Sequence, residues 1–369
     1  MKVLFISNTY TPYTSGVVRS IHTTITHLQR LGHEILLVTL DFKMSANDPS
    51  WVYRIPTLFC FYLFKNIMAF PWRPYTYIEK IVNDYQPEVI HIHHPFLLGS
   101  IAVSIAQKKN IKTIFTYHTQ YHKYAHYIPL PRFITVYIIE YLVIRFARKV
   151  DEIVAPSRAI REYLVSKKLD RITIVPSAID DQFLGYPFFK KKVHNPISLL
   201  YVGRFVKEKN IPALFDCMRF LPDHYQLTLV GFGSYQEYLE KYAYKYYGFS
   251  LSRVRFISNL ERQQIIEYYK KAHLFLFPSQ SDTQGLVLAE AMALSTPIIA
   301  LDGAGQQDCI RNGYNGFIIS SAEQMAEYTQ KVMKDPMQYH ELQYHAWQES
   351  KKYNGDSLAK KIGLLYAED

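Results

Sequence analysis

The sequence predicts an α/β protein made of two doubly wound domains, and three observations predict it. Short apolar runs of strand length alternate with helical patterns through residues 1–180. The alternation pauses over Pro176–Pro196, which holds three prolines, Gly185 and the run Lys190-Lys191-Lys192. It then restarts and continues almost to the end of the chain, and such alternation signals parallel sheets with helices on both faces. A length of 369 residues also suits two domains better than one.

In order, Lys2–Ser7 reads as a buried strand, Val17–Leu31 as a helix and Glu34–Thr39 as a second strand, with Gly32 placed to end the helix between them. An aromatic stretch follows that reads as irregular. Then come a strand at Glu88–His93, a helix at Leu97–Lys109, a strand at Lys112–Tyr117 and a long helix over Arg132–Lys149. Glu152–Ala155, a helix from near Ser157, and Ile172–Val175 complete the first set. The second set has strands at Ser198–Val202, Gln226–Val230, Val254–Ile257, Leu274–Phe277 and Ile298–Leu301, with helices between them and helical patterns from Ser321 to Tyr366. The expected division is a domain over 1–180, a linker over 181–195 and a domain over 196–353, with a final helix near 354–369 packing back on the first domain. Two such domains predict a cleft between the carboxyl ends of their sheets.

Composition excludes several classes. With 49% hydrophobic and 20% charged residues the chain is neither disordered nor fibrous. Cys60, Cys217 and Cys309 are odd in number and far apart, which excludes a disulfide framework and fits a reducing cytoplasm. The apolar start turns polar at Ser7-Asn8-Thr9, too soon for a signal peptide. Lys65 and Glu140 interrupt the two greasiest stretches, so neither offers the ~20 apolar residues of a membrane span. Charge is uneven: of the net +10, residues 1–180 carry +9. A basic, aromatic half points to an anionic surface, either membrane or nucleic acid. No RNP, helix-turn-helix or zinc-finger signature accompanies it, so nucleic acid is the weaker expectation.

Four segments carry candidate chemistry. Gly16 stands just before the first helix, where it either forms a simple turn or lets backbone N–H groups approach a phosphate. VGRFVKEKN at 202–210 follows a strand directly, so Arg204 and Lys209 either neutralise a diphosphate or belong to a solvated loop. LVGFGS at 229–234 places Gly231 and Gly233 in a turn like a truncated dinucleotide fingerprint. In SDTQGLVLAEAMA at 281–293, Gly285 and Leu286 open a helix whose free N–H groups suit phosphate oxygens. Asp282 reads alternatively as an N-cap and Glu290 as a surface residue. Apolar Leu288, Ala289, Ala291 and Met292 around Glu290 argue for a buried carboxylate that needs a partner. Among the histidines, His118 suits a place at the cleft edge, and His91 and His94 suit ordinary hydrogen bonding. A metal site from His118, His122 and His126 lacks an accompanying carboxylate.

Together these motifs resemble glycosyltransferase family 4, retaining enzymes of the GT-B fold, in which two Rossmann-like domains face across a cleft. The N-terminal segments HIHHPFLLG at 91–99 and TYHTQYHKYAHYI at 116–128 are similar to those of bacterial diacylglycerol glucosyltransferases. The resemblance implies a hexose, glucose from UDP-glucose, moved to a membrane lipid such as 1,2-diacylglycerol at the cytoplasmic face. The protein would be cytoplasmic and peripherally membrane-associated, with no cofactor or metal required. The N-terminal domain would be the acceptor side and the C-terminal domain would hold the nucleotide sugar. Gly16 would approach the donor phosphates, His118 a sugar hydroxyl, and Arg204 and Lys209 the leaving diphosphate. Asp282 would hold sugar hydroxyls, the Gly285 and Leu286 N–H groups would contact sugar or phosphate oxygens, and Glu290 would bind the ribose. The first loop departs from the family pattern in having Ser15 before Gly16, and the first acidic residue is Asp282 where the family commonly has glutamate. The alternative within the fold is a soluble or polysaccharide acceptor.

On the acceptor side, Arg73, Lys123, Arg132, Arg145, Arg148 and Lys149 are interspersed with Tyr121, Tyr127, Phe133 and Tyr137. Such a mixture suits an anionic leaflet with aromatic rings at the headgroup level. The apolar run Phe133–Ile144 reads equally as a helix packed under the sheet.

Overall fold

The computed structural model describes residues 1–13, 15–43, 47–63, 66–123 and 131–368. They divide into two compact units, Met1–Ala178 with Gly355–Asp369, and Ile179–Asn354.

In the first unit the elements run β1 (Lys2–Ile6), α1 (Gly16–Arg30), β2 (Glu34–Leu40), β3 (Val52–Ile55), β4 (Thr57–Leu63), β5 (Asn66–Pro71), α2 (Pro74–Tyr85), β6 (Val89–Ile92), α3 (Leu98–Lys109), β7 (Lys112–Thr116), α4 (Arg132–Ala147), β8 (Glu152–Ala155), α5 (Arg158–Ser166) and β9 (Ile172–Ile174). Seven strands form one parallel sheet in the order β3-β2-β1-β6-β7-β8-β9. The central strands, buried on both faces, show continuous apolar runs rather than alternation, as parallel strands do, whereas the edge strand β3 does not. Ser15 and Ser157 cap α1 and α5, each hydroxyl accepting from an N–H in the first helical turn.

The second unit continues with α6 (Asp181–Leu184), β10 (Ile197–Val202), α7 (Pro212–Phe220), β11 (Tyr225–Val230), α8 (Gln236–Glu240), β12 (Val254–Ile257), α9 (Arg262–Lys271), β13 (Leu274–Phe277), α10 (Leu286–Ala293), β14 (Ile298–Leu301), β15 (Gly316–Ile319), α11 (Ala322–Lys334) and α12 (Pro336–Ser350). Its six strands are also parallel, ordered β12-β11-β10-β13-β14-β15. The last helix, α13 (Gly355–Ala367), belongs to the first unit. Its Leu358, Ala359, Ile362 and Leu365 share a core with Val18, Ile21, Ile25 and Leu28 of α1. His27 adds a 2.6 Å hydrogen bond to Asp356.

Three expectations are corrected. The stretch read as irregular holds β3, which extends the main sheet, then the antiparallel hairpin β4–β5 and the helix α2. The segment 181–195, expected to be a linker, is packed into the second unit. Phe183 is buried in its core, and the buried Lys191 Nζ donates to the Tyr269 and Ala272 carbonyls and the Thr296 hydroxyl. The two carbonyls lie at the carboxyl end of α9, and burial pulls the Lys191 amine well below its ordinary 10.5. Strand β15, four residues behind an Asn-Gly turn, was not anticipated.

Candidate active site

In each sheet the strand order reverses at one place, between β1 and β6 in the first unit and between β10 and β13 in the second. Open α/β sheets bind ligands outside the carboxyl ends of the strands at this reversal. In the second unit the loops leaving β10 and β13 carry Arg204 and Lys209 on one side and Asp282 on the other.

These two loops are tied together. Lys209 Nζ lies 2.5 Å from Asp282 Oδ1, with the two side chains only 13% and 19% exposed. Ser281 Oγ donates to the Glu208 carbonyl at 3.1 Å, and Asn210 Nδ2 to the Pro278 carbonyl at 3.4 Å. Arg204 Nη2 lies 3.9 Å from Glu208 Oε1. Burial pushes the Asp282 carboxyl up, but Lys209, a hydrogen bond from Ser279 and the Arg204 charge outweigh it and hold the carboxyl below its ordinary value of 3.8. Asp282 is therefore an ionised carboxylate beside Lys209 and Arg204, with Glu208 on the other side of Arg204.

Gly231 and Gly233 serve the β10 loop directly. A Cβ on Gly231 would stand 1.9 Å from the Gly203 carbonyl oxygen, and one on Gly233 2.3 Å from the Phe205 carbonyl oxygen. Phe205 N–H donates to the Phe232 carbonyl at 2.9 Å. The visible work of the two glycines is thus to let one turn lie against the backbone that carries Arg204. Gly285 adopts φ +75° at the N-cap of α10, with Leu286 the first helical residue. That left-handed turn, which glycine adopts at little cost, aims the N–H groups of the first turn out of the helix end.

Glu290 is 1% exposed on α10. Arg262 Nη2 approaches its Oε1 at 3.1 Å and the Tyr269 hydroxyl donates to Oε2 at 3.1 Å. Arg262 also stacks on Phe183, 4.4 Å from the ring centroid, and reaches Asp180 at 3.8 Å. Sequence reasoning missed Arg262 and Tyr269. The only local signal was the Glu261–Gln264 capping box that starts α9 and thereby fixes where Arg262 emerges.

In the first unit Gly16 opens α1 with no atom within 4 Å of the place its Cβ would take, and Ser15 Oγ accepts from Val18 N–H at 3.2 Å. Beside β1, the strand ends of β6 and β7 bring a stack of imidazoles together. The ring centroids of His91 and His93 are 4.4 Å apart and those of His93 and His118 5.1 Å apart, and Phe5 lies 5.0 Å from His93. His93 Nδ1 and His118 Nε2 are 2.8 Å apart. His91 bonds Tyr366 and Thr116, each at 2.7 Å, and His94 bonds Ser7 at 3.2 Å. Burial pushes all four well below the ordinary histidine value, His91 and His118 to about 3 and His94 to about 4, so the stack is neutral at pH 7. Among the described residues no group of three or more His, Cys, Asp or Glu is arranged to hold a metal ion.

The residues expected on an acceptor side divide. Tyr121 is half-buried and packs edge-on against Phe96 and Tyr117 beside the core. Arg132, Arg145, Arg148 and Lys149 are exposed on or just after α4, Lys123 is half-buried, and Arg73 lies over the Trp72 ring at 5.2 Å. Tyr127, with Thr14, Lys65 and His126, lies outside the described residues. Helix α4 answers both readings of its apolar run. Val143, Ile144, Phe146 and Ala147 are buried under the sheet, whereas Phe133 is 76% and Tyr137 70% exposed, beside exposed Ile134, Ile138, Tyr141 and Leu142. Glu140, the charge within it, pairs with Lys167 at 2.8 Å and Tyr163 at 2.6 Å. No helix among the described residues is long and apolar enough to cross a membrane.

Two doubly wound units, with two cations and a carboxylate gathered at a strand reversal, define a GT-B glycosyltransferase that uses a nucleotide sugar. The family models agree: "Glycosyltransferase Family 4" matches residues 14–183 and "Glycosyl transferases group 1" matches residues 186–349. The chain belongs to glycosyltransferase family 4. It is 31% identical over 316 residues to the alpha-monoglucosyldiacylglycerol synthase of Streptococcus pneumoniae (strain ATCC BAA-255 / R6), covering 81% of this chain and 71% of that one. It is 26% identical over 400 residues to the enzyme of the same name from Acholeplasma laidlawii, covering 99% and 96%. The sucrose-phosphate synthase structure from Thermosynechococcus elongatus superposes with a TM-score of 0.75 at 19% identity, covering 99% of this chain and 98% of that one.

Proposed function

We propose that this glycosyltransferase moves glucose from UDP-glucose to a diacylglycerol-type lipid with retention at the anomeric carbon. We place it on the cytoplasmic face of a membrane, held peripherally. The observation that carries the reading is the Lys209–Asp282 pair, with Arg204 beside it, at the strand reversal of the second unit. The names of both relatives supply the lipid acceptor and the α-product, and transfer from an α-linked donor to an α-product is retention.

In this mechanism the acceptor hydroxyl attacks the anomeric carbon from the side on which the diphosphate leaves. The carbon–oxygen bond to the diphosphate breaks with its electron pair on UDP, and the acceptor proton passes to a leaving phosphate oxygen. Arg204 and Lys209 neutralise the charge that develops, with help from Gly285 and Leu286 N–H groups at the α10 end. Asp282 holds sugar hydroxyls, and His118 hydrogen-bonds another hydroxyl of the same sugar. Gly16 lets the α1 backbone approach phosphate. Glu290, held by Arg262 and Tyr269, is the carboxylate assigned to the ribose. No cofactor enters, so chelators should leave turnover unchanged. The exposed apolar end of α4 and the basic residues around it hold the first unit to an anionic leaflet.

The test is incubation with labelled UDP-glucose, UDP-galactose and GDP-mannose, each offered diacylglycerol in mixed micelles, free glucose or a soluble glucan. Expected is an α-glucosyl lipid from UDP-glucose, identified by chromatography and the anomeric proton coupling. A β-linked product would overturn retention, and product only on the soluble acceptors would overturn the lipid assignment.

A further inference from the structure

The histidine stack holds an asymmetry that the proposed chemistry does not use. His93 is 2% exposed, its N–H is held by the Ile6 carbonyl at the end of β1, and its ring is stacked on His91 and Phe5. Nδ1 faces His118 Nε2 at 2.8 Å, while Nε2 is buried with no hydrogen-bond partner. The two facing nitrogens can share only one proton between them, so the pair has two neutral arrangements.

If His118 donates, Nδ1 of His93 must be bare and the His93 proton must be on Nε2, a buried N–H without an acceptor. If His93 donates, its Nε2 is a bare lone pair and every N–H of the ring is satisfied. Orphaned buried N–H groups are rarer in proteins than orphaned acceptors, because the donor's hydration is lost with nothing in return. Among the described residues the titratable groups that act on the His93 ring are His91, His118 and His94, all of which burial keeps neutral.

We propose that His93 is a positioning residue that donates from Nδ1 to His118 Nε2, fixing His118 as the Nδ1–H tautomer, so that the second nitrogen of His118 is a hydrogen-bond donor and not a lone pair. The role of that donor rests on the reading of His118 as a sugar-contacting residue; the tautomer does not. Such a donor suits a sugar hydroxyl oxygen whose own proton is committed elsewhere, for example to a carboxylate. The arrangement also forbids His118 from acting as a general base through either nitrogen, since Nε2 is occupied and Nδ1 already bears the proton.

The tautomer is read by two-bond proton–nitrogen correlation on full-length protein labelled with 15N-histidine near pH 7. The His118 signals are assigned by their loss in His118→Asn. A proton on Nδ1 of both His93 and His118 is expected, and a proton on Nε2 of His118 overturns the proposal. The functional arm compares His93→Leu, which removes the donor, with His93→Asn, whose amide can donate from the Nδ1 position. Glucosyl transfer by His93→Leu should fall about tenfold in kcat with donor KM little changed, as for loss of an orienting outer partner. His93→Asn should recover most of it. Equal activity of the two variants, at a melting temperature matching the wild type, would show that the donor does nothing. Full activity of His118→Ala would instead remove the sugar-contact reading and leave the tautomer result standing.

Discussion

Lys209 Nζ lies 2.5 Å from Asp282 Oδ1, joining the loops that leave the two strands at the reversal of the second sheet. Lys209→Ala removes the cation proposed to meet the leaving diphosphate. It should raise the barrier by about 2–4 kcal/mol, roughly thirty- to thousandfold in kcat/KM. It should also change the acid response. In the wild type the Asp282 carboxyl is below its ordinary 3.8, so its stabilisation is complete above that value and is lost as the pH falls through the lower, folded value. Without Lys209 burial dominates, the folded value rises, and ionised Asp282 destabilises the fold at neutral pH. The stability gap between the two proteins should be widest near pH 7 and close below about pH 4. Urea unfolding at both pH values checks this. A gap independent of pH would mean that Lys209 does not hold Asp282.

Arg262 and Glu290 form a second buried ion pair near the site, with the carboxylate the more buried member. Breaking a buried pair leaves an uncompensated charge, so Arg262→Met should cost about 3–5 kcal/mol of stability. Arg262→Met combined with Glu290→Gln removes the charge as well and should recover a good part of the loss. A double-mutant cycle by urea unfolding measures the coupling, and additive losses would show that the pair is not coupled.

Most strands of both sheets were legible because buried parallel strands declare themselves as short apolar runs, and Val254–Ile257, Leu274–Phe277 and Ile298–Leu301 were readable to the residue, whereas the edge strands β3 and β15 were not. The hairpin β4–β5 was not. It exposes Leu58, Phe59, Phe61, Met68 and Phe70, so no polar alternation marks it as a strand pair. The site was legible where a motif puts chemistry beside a glycine turn, as at Arg204, Lys209, Asp282 and Glu290. It was illegible where tertiary packing supplies the partner. Arg262 meets Glu290 only because α9 and α10 adjoin, and His93 meets His118 only because β6 and β7 are neighbours.

His91 gives the first unit a calculable acid weakness. Burial pushes it from 6.5 to about 3, so between those values the unfolded chain binds a proton that the folded one refuses. Stability should fall as pH drops below 6.5, by about 1.4 kcal/mol per pH unit for this one group. His93, His94 and His118 are shifted in the same direction and steepen the fall. In His91→Gln, whose amide can still meet Tyr366 or Thr116, the slope of stability against pH between about 4.5 and 6 should flatten by one proton. An unchanged slope would mean that His91 titrates normally in the fold.

The exposed end of α4 predicts where lipid contact is made. Phe133→Ser with Tyr137→Ser touches two outward residues, so melting should be unchanged. If both rings enter the headgroup region, each contributes about 1 kcal/mol and the double variant should bind liposomes about thirtyfold more weakly. Adding salt should weaken both proteins on anionic vesicles, as expected for Arg132, Arg145 and their basic neighbours. Sedimentation with anionic and neutral vesicles at two salt concentrations checks this. Undiminished binding of the double variant would move the contact away from α4.

Two glycines, one in each unit, should respond in opposite ways to the same methyl group. Gly16→Ala adds it where nothing stands within 4 Å, at the start of a helix, so the fold should hold or gain a few tenths of a kcal/mol. If α1 N–H groups receive a phosphate, that methyl occupies the approach, and donor KM should rise about tenfold without any loss of melting temperature. Gly231→Ala adds it 1.9 Å from the Gly203 carbonyl oxygen. The backbone that carries Arg204 must then shift, so melting temperature and donor affinity should fall together. Differential scanning calorimetry paired with UDP titration separates the two patterns. A Gly16→Ala protein of normal stability and normal donor affinity would show that the first helix makes no phosphate contact, leaving the diphosphate to Arg204, Lys209 and the α10 end alone.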